Sequence, residues 1–125
     1  LGKCPDEIRK FMQVGLDALN MTFDIMQAGV AASDAAKKIH GYVIEQGYGD
    51  ALLYGPAHGC GQMECEYPFL ETSSDYILEE NMTFMADMFL HRNGMGFRWE
   101  DGLIVRKGPA EQLSNYGRQI NILEV

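Results

Sequence analysis

Residues 54–68 read Tyr-Gly-Pro-Ala-His-Gly-Cys-Gly-Gln-Met-Glu-Cys-Glu-Tyr-Pro, and the rest of the sequence is organised around them. His58 stands among small and turn-forming residues, and Glu64 and Glu66 follow it closely. Glycine lets the backbone approach a bulky or charged group, so this composition suits a ligand site. The alternative that the stretch alone leaves open is a plain surface turn with an exposed His58.

Two amphipathic helices are predicted before this stretch. From Asp6 to about Ala28, apolar residues recur at three- and four-residue spacing with polar residues between them, and Gly29 is expected to end the helix. A second helix is predicted to begin with Ser33 as its N-cap and to run to Gln46, where Gly47 stops it. The loop or short strand that follows leads to His58.

A nearly continuous apolar run from Met82 to Leu90 has the length of a strand, and one charge, Asp87, interrupts it. A buried aspartate is costly unless it is paired or bound to a metal. Alternation could place Asp87 on the solvent face, but Met85 and Phe89 would share that face and both are apolar. This pattern favours a functional reading of Asp87.

The remaining segments predict loops, one more long strand and a tail. Residues 71–76 and 78–81 read as a surface loop and a turn, and residues 91–96 as a hairpin-like connection. Residues 97–107 form the predicted strand that carries Arg98 and Glu100, and Gly108 and Pro109 make a turn after it. The tail, residues 110–125, is predicted to form a short strand and a packed C-terminus.

Composition limits the kinds of protein that this sequence can represent. The chain has 125 residues and predicts one domain. Its net charge of -8 argues against a nucleic acid or an anionic membrane as partner, since a polyanion would be repelled. There is no apolar run of about 20 residues and no signal-peptide pattern. Three cysteines without a Cys-x-x-Cys pair indicate neither a disulfide framework nor a zinc ribbon, and favour the cytoplasm.

Three side chains with metal-ligand chemistry lie in three separate segments that are otherwise apolar or glycine-rich. They are His58, Asp87 and Glu100. An imidazole with carboxylates suits a divalent ion such as manganese, iron, cobalt or zinc. Sequence alone does not bring the three together.

Three motifs around these side chains resemble the pita-bread metallopeptidase family. They are Ala-His-Gly-Cys-Gly from residue 57, with Glu66 and Pro68 behind it; Asn-Met-Thr-Phe-Met-Ala-Asp from residue 81; and Gly-Phe-Arg-Trp-Glu-Asp from residue 96, with Leu-Ile-Val after it. The family includes methionine aminopeptidases, Xaa-Pro aminopeptidases, prolidases and the metal-free creatinases. The resemblance implies an α+β fold in which two amphipathic helices pack on a curved antiparallel sheet. It also implies that residues 1–125 are the C-terminal half of the domain, with the upstream half absent.

The resemblance further implies a pair of divalent metal ions, manganese, cobalt, iron or zinc, held by two aspartates, a histidine and two glutamates. His58 matches the ligand histidine, Asp87 stands where the first glutamate sits, and Glu100 matches the second. The aspartate pair would precede Leu1. His58 and Glu66 are the expected catalytic residues.

Two departures from the family pattern bear on activity. Asp87 is one methylene shorter than glutamate. Cys65 stands where the family has a second histidine, which contacts the substrate carbonyl, and a thiol is a poor substitute for imidazole as a proton donor. His91 is a candidate to supply imidazole instead. Cys65, His91 and Arg98 are the predicted substrate-contacting residues, and Arg98 is also expected to pair with Glu100 or Asp101.

Three functions remain open from the sequence. The first is a metal-dependent Xaa-Pro peptidase, whose isolated 125-residue piece would be inactive without the aspartate pair. The second is a creatinase-like hydrolase or a lyase that acts on a small amidine or betaine-like substrate, which Cys65 and the Asn-Tyr-Gly-Arg segment from residue 115 keep possible. The third is a binding protein without catalysis. Exposed apolar surface left by the absent half predicts self-association, with a homodimer expected.

Overall fold

The computed structural model describes residues 3–121 and 123, in which two helices cover one face of a five-stranded antiparallel sheet. This confirms the predicted α+β class. The helices are α1, Asp6–Ile25, and α2, Ala32–Glu45, and a single 3-10 turn follows at Gly49–Ala51. The strands are β1, Ala57–Gly59; β2, Glu66–Leu70; β3, Thr83–Arg92; β4, Met95–Ile104; and β5, Glu111–Gln112.

Helix α1 ends three residues before the predicted end at Ala28. The backbone leaves the helix at Met26, and the next residue, Gln27, forms a parallel bridge with Arg106. The Ala28 amide donates to the Arg106 carbonyl at 2.8 Å. Sheet-like pairing with a distant segment therefore takes the amides that would have extended the helix. Gly29, with φ of 90°, belongs to the turn that follows.

The predicted N-cap of α2, Ser33, is wrong, because Ser33 lies inside the first turn. The capping position is Ala31, whose side chain makes no capping hydrogen bond. Ala31 forms a bridge with Ile77, and this pairing holds the incoming chain extended up to the helix start. The predicted stop is confirmed, since Gly47 adopts φ of 83° directly after the helix.

The strands lie in the order β2-β1-β3-β4-β5. Sequence analysis missed β2, because Pro68 cannot donate to a ladder and argues against a central strand. Its place at the edge of the sheet resolves this conflict. His58 lies in β1, between β2 and β3, so a plain surface turn at His58 is wrong.

Strands β3 and β4 form one long hairpin. The predicted strand over residues 82–90 is confirmed and continues to Arg92. The two turn residues, Asn93 and Gly94, both have positive φ, 53° and 77°, as a tight hairpin turn requires. His91 is therefore a strand residue opposite Gly96, and the predicted connection over residues 91–96 is shorter than expected.

The core lies between the helices and one face of the sheet. Phe84, Ala86 and Met88 alternate along β3 and are buried on this face. On β4, Trp99 points to the same side, where its indole donates to the Met12 carbonyl of α1 at 3.1 Å. The opposite face of the sheet carries the polar side chains of the site together with two apolar side chains of β3.

The predicted packed C-terminus is wrong for the described residues after β5. Leu113 and Tyr116 are exposed, and no regular element follows β5 in the described part of the tail. The tail is anchored through Gln112, whose side chain donates to Asp101. Leu1, Gly2, Ile122, Glu124 and Val125 lie outside the described residues. No helix of the described chain is long and apolar enough to cross a membrane.

Candidate functional site

Strand register places the three predicted ligand side chains on one face of the sheet. His58 on β1 is opposite Met85 on β3, and Asp87 lies two residues further along the same face. Asp87 is in turn opposite Glu100 on β4. Side chains alternate between faces along a strand, so all three project away from the helices. The structure therefore brings together residues that are far apart in sequence.

The His58 imidazole is buried, with 5% exposure, and its two nitrogens differ in environment. Nδ1 lies 3.1 Å from the Gly59 carbonyl oxygen, which requires the proton of the neutral ring to be on Nδ1. Nε2 has no hydrogen-bond partner among the described residues and lies 3.7 Å from both Asp87 Oδ2 and Glu100 Oε1. A buried nitrogen lone pair facing two carboxylates fits a divalent cation.

The Arg98 guanidinium forms two hydrogen bonds with the Asp87 carboxylate. Its Nε donates to Asp87 Oδ1 and its Nη2 to Asp87 Oδ2, each at 2.8 Å, and Nη2 also donates to Glu100 Oε1 at 3.2 Å. The hydrogen bonds with Asp87 raise the pKa of Arg98 above its ordinary value. The predicted pairing with Glu100 is confirmed. The alternative pairing with Asp101 is wrong, because Asp101 lies on the opposite face of β4 and bonds Ser114.

Tyr54 is a site residue that sequence analysis missed. Its hydroxyl donates to Asp87 Oδ2 at 2.9 Å, and its ring packs 6.1 Å from that of Phe89. Burial, followed by the hydrogen bond with Asp87, raises the pKa of Tyr54, so the hydroxyl stays protonated and remains a donor. The only sequence signal was indirect, since a buried aspartate requires donors and a tyrosine lies nearby in an irregular segment.

The ionised form of the Glu100 carboxyl is destabilised by its surroundings in the site. Burial raises the pKa of the Glu100 carboxyl, and the charge of Asp87 raises it further, while Arg98 acts in the opposite direction. A cation at His58 would stabilise the ionised form of Glu100.

A cavity of about 410 Å³ opens in front of His58, Asp87 and Arg98. Glu64 and Cys65, from the loop between β1 and β2, form part of its wall, and Cys65 is exposed with a free thiol. Cys65, which departs from the family pattern, therefore borders a space large enough for a small molecule. The other lining residues are Tyr54, Gly55, Ala57, Phe69 and Glu71.

Two predicted residues lie apart from this cluster. His91 is exposed and lies four residues beyond Asp87 on β3, roughly 13 Å along the strand. Glu66 Oε2 accepts a hydrogen bond from the Met63 amide at 3.1 Å, so in this structure it closes the loop between β1 and β2. The structure does not bring either of them into contact with His58.

Comparison with known proteins gives the family. The family model described as metallopeptidase family M24 matches residues 1–107. This chain belongs to metallopeptidase family M24. The resemblance noted from the three sequence motifs is thereby confirmed.

Relatives of this M24 chain include Xaa-Pro peptidases. A Xaa-Pro dipeptidase from Lactobacillus delbrueckii subsp. lactis is 25% identical over 99% of this chain and 34% of its own length. A solved Xaa-Pro dipeptidase from Bacillus anthracis superposes with a TM-score of 0.91 at 27% identity, and the X-Pro aminopeptidase from Thermotoga maritima with 0.89 at 25%. Each match covers 98% of this chain and 35% of the solved chain. The chain thus spans about a third of the length of these relatives.

Proposed function

We propose that the protein to which this chain belongs is a metal-dependent hydrolase of peptides with proline in the second position. The observation that carries this proposal is the buried Nε2 of His58, which faces Asp87 and Glu100 at 3.7 Å and has no partner among the described residues. The Xaa-Pro peptidases among its M24 relatives support the substrate class.

The proposed ligands from this chain are His58, Asp87 and Glu100, for two ions of manganese, cobalt, iron or zinc. When bound, such ions lower the pKa of a water molecule and polarise the scissile carbonyl. Arg98 keeps Asp87 oriented through its paired hydrogen bonds. Glu66 is the second proposed catalytic residue, and its proposed role is to orient a substrate amine or a ligand, which requires it to leave its present hydrogen bond with the Met63 amide.

Substrate would occupy the cavity in front of His58. Arg98 and Cys65 line that cavity and are proposed to contact the substrate. His91 is too far along β3 to reach the same position, so its proposed contact is with the outer part of a peptide. The upstream half of the domain is proposed to supply the two aspartates, and residues 1–125 alone are proposed to have no turnover.

Metal content and peptidase activity of the full gene product test this proposal together. We expect about two bound ions per protein, hydrolysis of a Xaa-Pro dipeptide, and loss of both in His58→Ala. His91→Ala is the matched control and is expected to keep the wild-type metal content, because it is remote from the cluster. Equal metal content in wild type and His58→Ala would overturn the proposal, as would hydrolysis by a wild-type protein that binds no metal.

Cys65 supports a second candidate function, a creatinase-like hydrolase or a lyase acting on a small non-peptide substrate. Its thiol lies in the cavity wall, at the position where the family resemblance places a histidine that contacts a peptide carbonyl. Parallel assays on a Xaa-Pro dipeptide and on creatine separate the two candidates.

Binding without catalysis would be indicated by the absence of stoichiometric metal together with no effect of His58→Ala on function.

The proposal includes a homodimer in the cytoplasm. Support for association comes from the edge strand β2, where Tyr67 is 71% exposed and neighbouring Met63 and Phe69 are also exposed. An apolar patch on a sheet edge is typical of an interface. Sedimentation of the full gene product as a monomer at micromolar concentration would overturn this part of the proposal.

A further inference from the structure

A carboxylate that sequence analysis did not assign lies at the predicted metal site. One ligand atom each from His58, Glu64 and Glu100 lie within 4.8 Å of one another. Asp87, the residue at the ligand position of the family pattern, is outside this group. Two carboxylates close together do not by themselves make a site. The buried Nε2 of His58, which has no partner among the described residues, is an independent indication that a cation belongs there.

The oxygens of Asp87 are already engaged. Oδ1 accepts from Arg98 Nε, and Oδ2 accepts from both Arg98 Nη2 and the Tyr54 hydroxyl, at 2.8 to 2.9 Å. A carboxylate offers about four acceptor positions, so three of them are used. Asp87 is also 2% exposed and one methylene shorter than the glutamate of the family pattern, which limits its movement toward a cation. The contacts of Asp87 are therefore those of a residue that fixes the position of Arg98.

Glu64 has the opposite properties. Its side chain is 72% exposed, and its Oε1 lies 3.6 Å from Arg98 Nη2, beyond hydrogen-bond length. It belongs to the loop between β1 and β2, six residues after His58, and one of its carboxylate oxygens lies within 4.8 Å of an imidazole nitrogen of His58. Coordination would therefore break no short hydrogen bond of Glu64.

We propose that Glu64 takes the ligand position that the family pattern gives to Asp87, which revises the ligand set above, so that one of the two divalent ions is held by His58, Glu64 and Glu100. One imidazole nitrogen and two carboxylate oxygens suit zinc or manganese. Asp87 is then a positioning residue, which fixes Arg98 beside the cavity. This inference rests on the proposed metal-dependent function.

Metal binding measured directly tests the inference. The full gene product is stripped of metal and titrated with Mn²⁺ alone in competition with a chromophoric chelator. We expect Glu64→Gln to weaken binding of one ion by at least about tenfold, since outer groups alone account for about 10- to 100-fold. Glu71→Gln removes another carboxylate that lines the same cavity, and is expected to bind as wild type does. Because Glu64 is exposed, the variant should fold normally, which far-UV circular dichroism checks.

Asp87→Asn distinguishes a ligand from an anchor. We expect it to lower the midpoint of thermal unfolding of the metal-free protein while weakening Mn²⁺ binding less than Glu64→Gln does. Glu64→Gln with wild-type affinity, beside loss of binding in His58→Ala, would overturn the inference and leave the proposed function standing. A larger loss of affinity in Asp87→Asn than in Glu64→Gln would overturn it as well. A wild-type protein that binds no Mn²⁺ would overturn the proposed function and this inference together.

Discussion

Asp87 on β3 and Glu100 on β4 are directly opposite each other, so two carboxylates share one cross-strand position. Like charges placed in this way destabilise a sheet. Arg98 offsets the repulsion by donating to both carboxylates, while burial, and after it the charge of Asp87, still raise the pKa of Glu100. A site that keeps unfavourable electrostatics without its cation is typical of functional positions.

Arg98→Met is expected to destabilise the metal-free protein by on the order of 2 kcal/mol. The substitution leaves Asp87 buried without its charge partner, and breaking a fully buried pair costs about 3–5 kcal/mol. Arg98 has 46% side-chain exposure, so water compensates part of the loss. Urea unfolding of the two proteins measures the difference in free energy.

Lys107→Met is the control for Arg98→Met, because its pair with Glu80 is exposed at 3.8 Å. Removal of such a pair should change the free energy of unfolding by less than about 1 kcal/mol. Equal effects of the two substitutions would contradict the account of Asp87 given above.

Long periodic segments made most of the fold predictable. The apolar repeat before Gly29 and the apolar run that ends at Leu90 each predicted an element that the structure contains. The errors came where distant segments decide a local boundary. Arg106 shortens α1 by pairing with Gln27, and Ile77 sets the start of α2 by pairing with Ala31. Periodicity within a segment carries no information about such partners.

The convergence of the site was only partly predictable. Metal-ligand chemistry and the family motifs singled out His58, Asp87 and Glu100, because those side chains are unusual in apolar or glycine-rich surroundings. Strand register, which depends on pairing across the sheet, is what places them on one face. Tyr54 gave no signal of its own, and Glu64 was noted only as an acidic residue close to His58, since both lie in irregular segments whose path depends on the folded sheet.

Stability is expected to fall as the pH is lowered through the titration of His40 on α2. Burial lowers the pKa of His40 below its ordinary value of 6.5, while the Tyr54 main chain and the Glu71 carboxylate oppose the shift. The folded state therefore binds fewer protons than the unfolded state, so the contribution of His40 is complete above pH 6.5 and is lost as the pH falls through its folded pKa.

Urea unfolding of wild type and His40→Gln from about pH 7.5 to about pH 5 measures this contribution. The variant should lose less stability over that range, because glutamine takes up no proton. His91→Gln, which alters an exposed histidine, should follow the wild-type profile. Parallel profiles for wild type and His40→Gln would exclude His40 as the origin of the pH dependence.

Two glycine substitutions are expected to have opposite effects. A Cβ at Gly59 of β1 would lie 2.8 Å from the Tyr67 carbonyl oxygen of β2, so Gly59→Ala should destabilise by about 1–3 kcal/mol. A Cβ at Gly41 of α2 meets no atom within 4 Å, and alanine favours the helix, so Gly41→Ala should stabilise by about 0.5–1 kcal/mol. Thermal unfolding measures both; destabilisation by Gly41→Ala would contradict the open surroundings of that residue.

Cys65→His is expected to raise Xaa-Pro dipeptide hydrolysis by the full gene product at least about tenfold, a lower bound set below the range of about 10²–10⁴ that a positioned proton carrier typically supplies. Cys65 lines the cavity and is exposed, so an imidazole fits there without entering the core. Cys65→Ala removes the thiol without adding an imidazole and should not exceed the wild-type rate on this dipeptide. If Cys65→His is no faster while Cys65→Ala abolishes turnover of a small substrate, the thiol itself serves the reaction, and the creatinase-like candidate gains support over the peptidase.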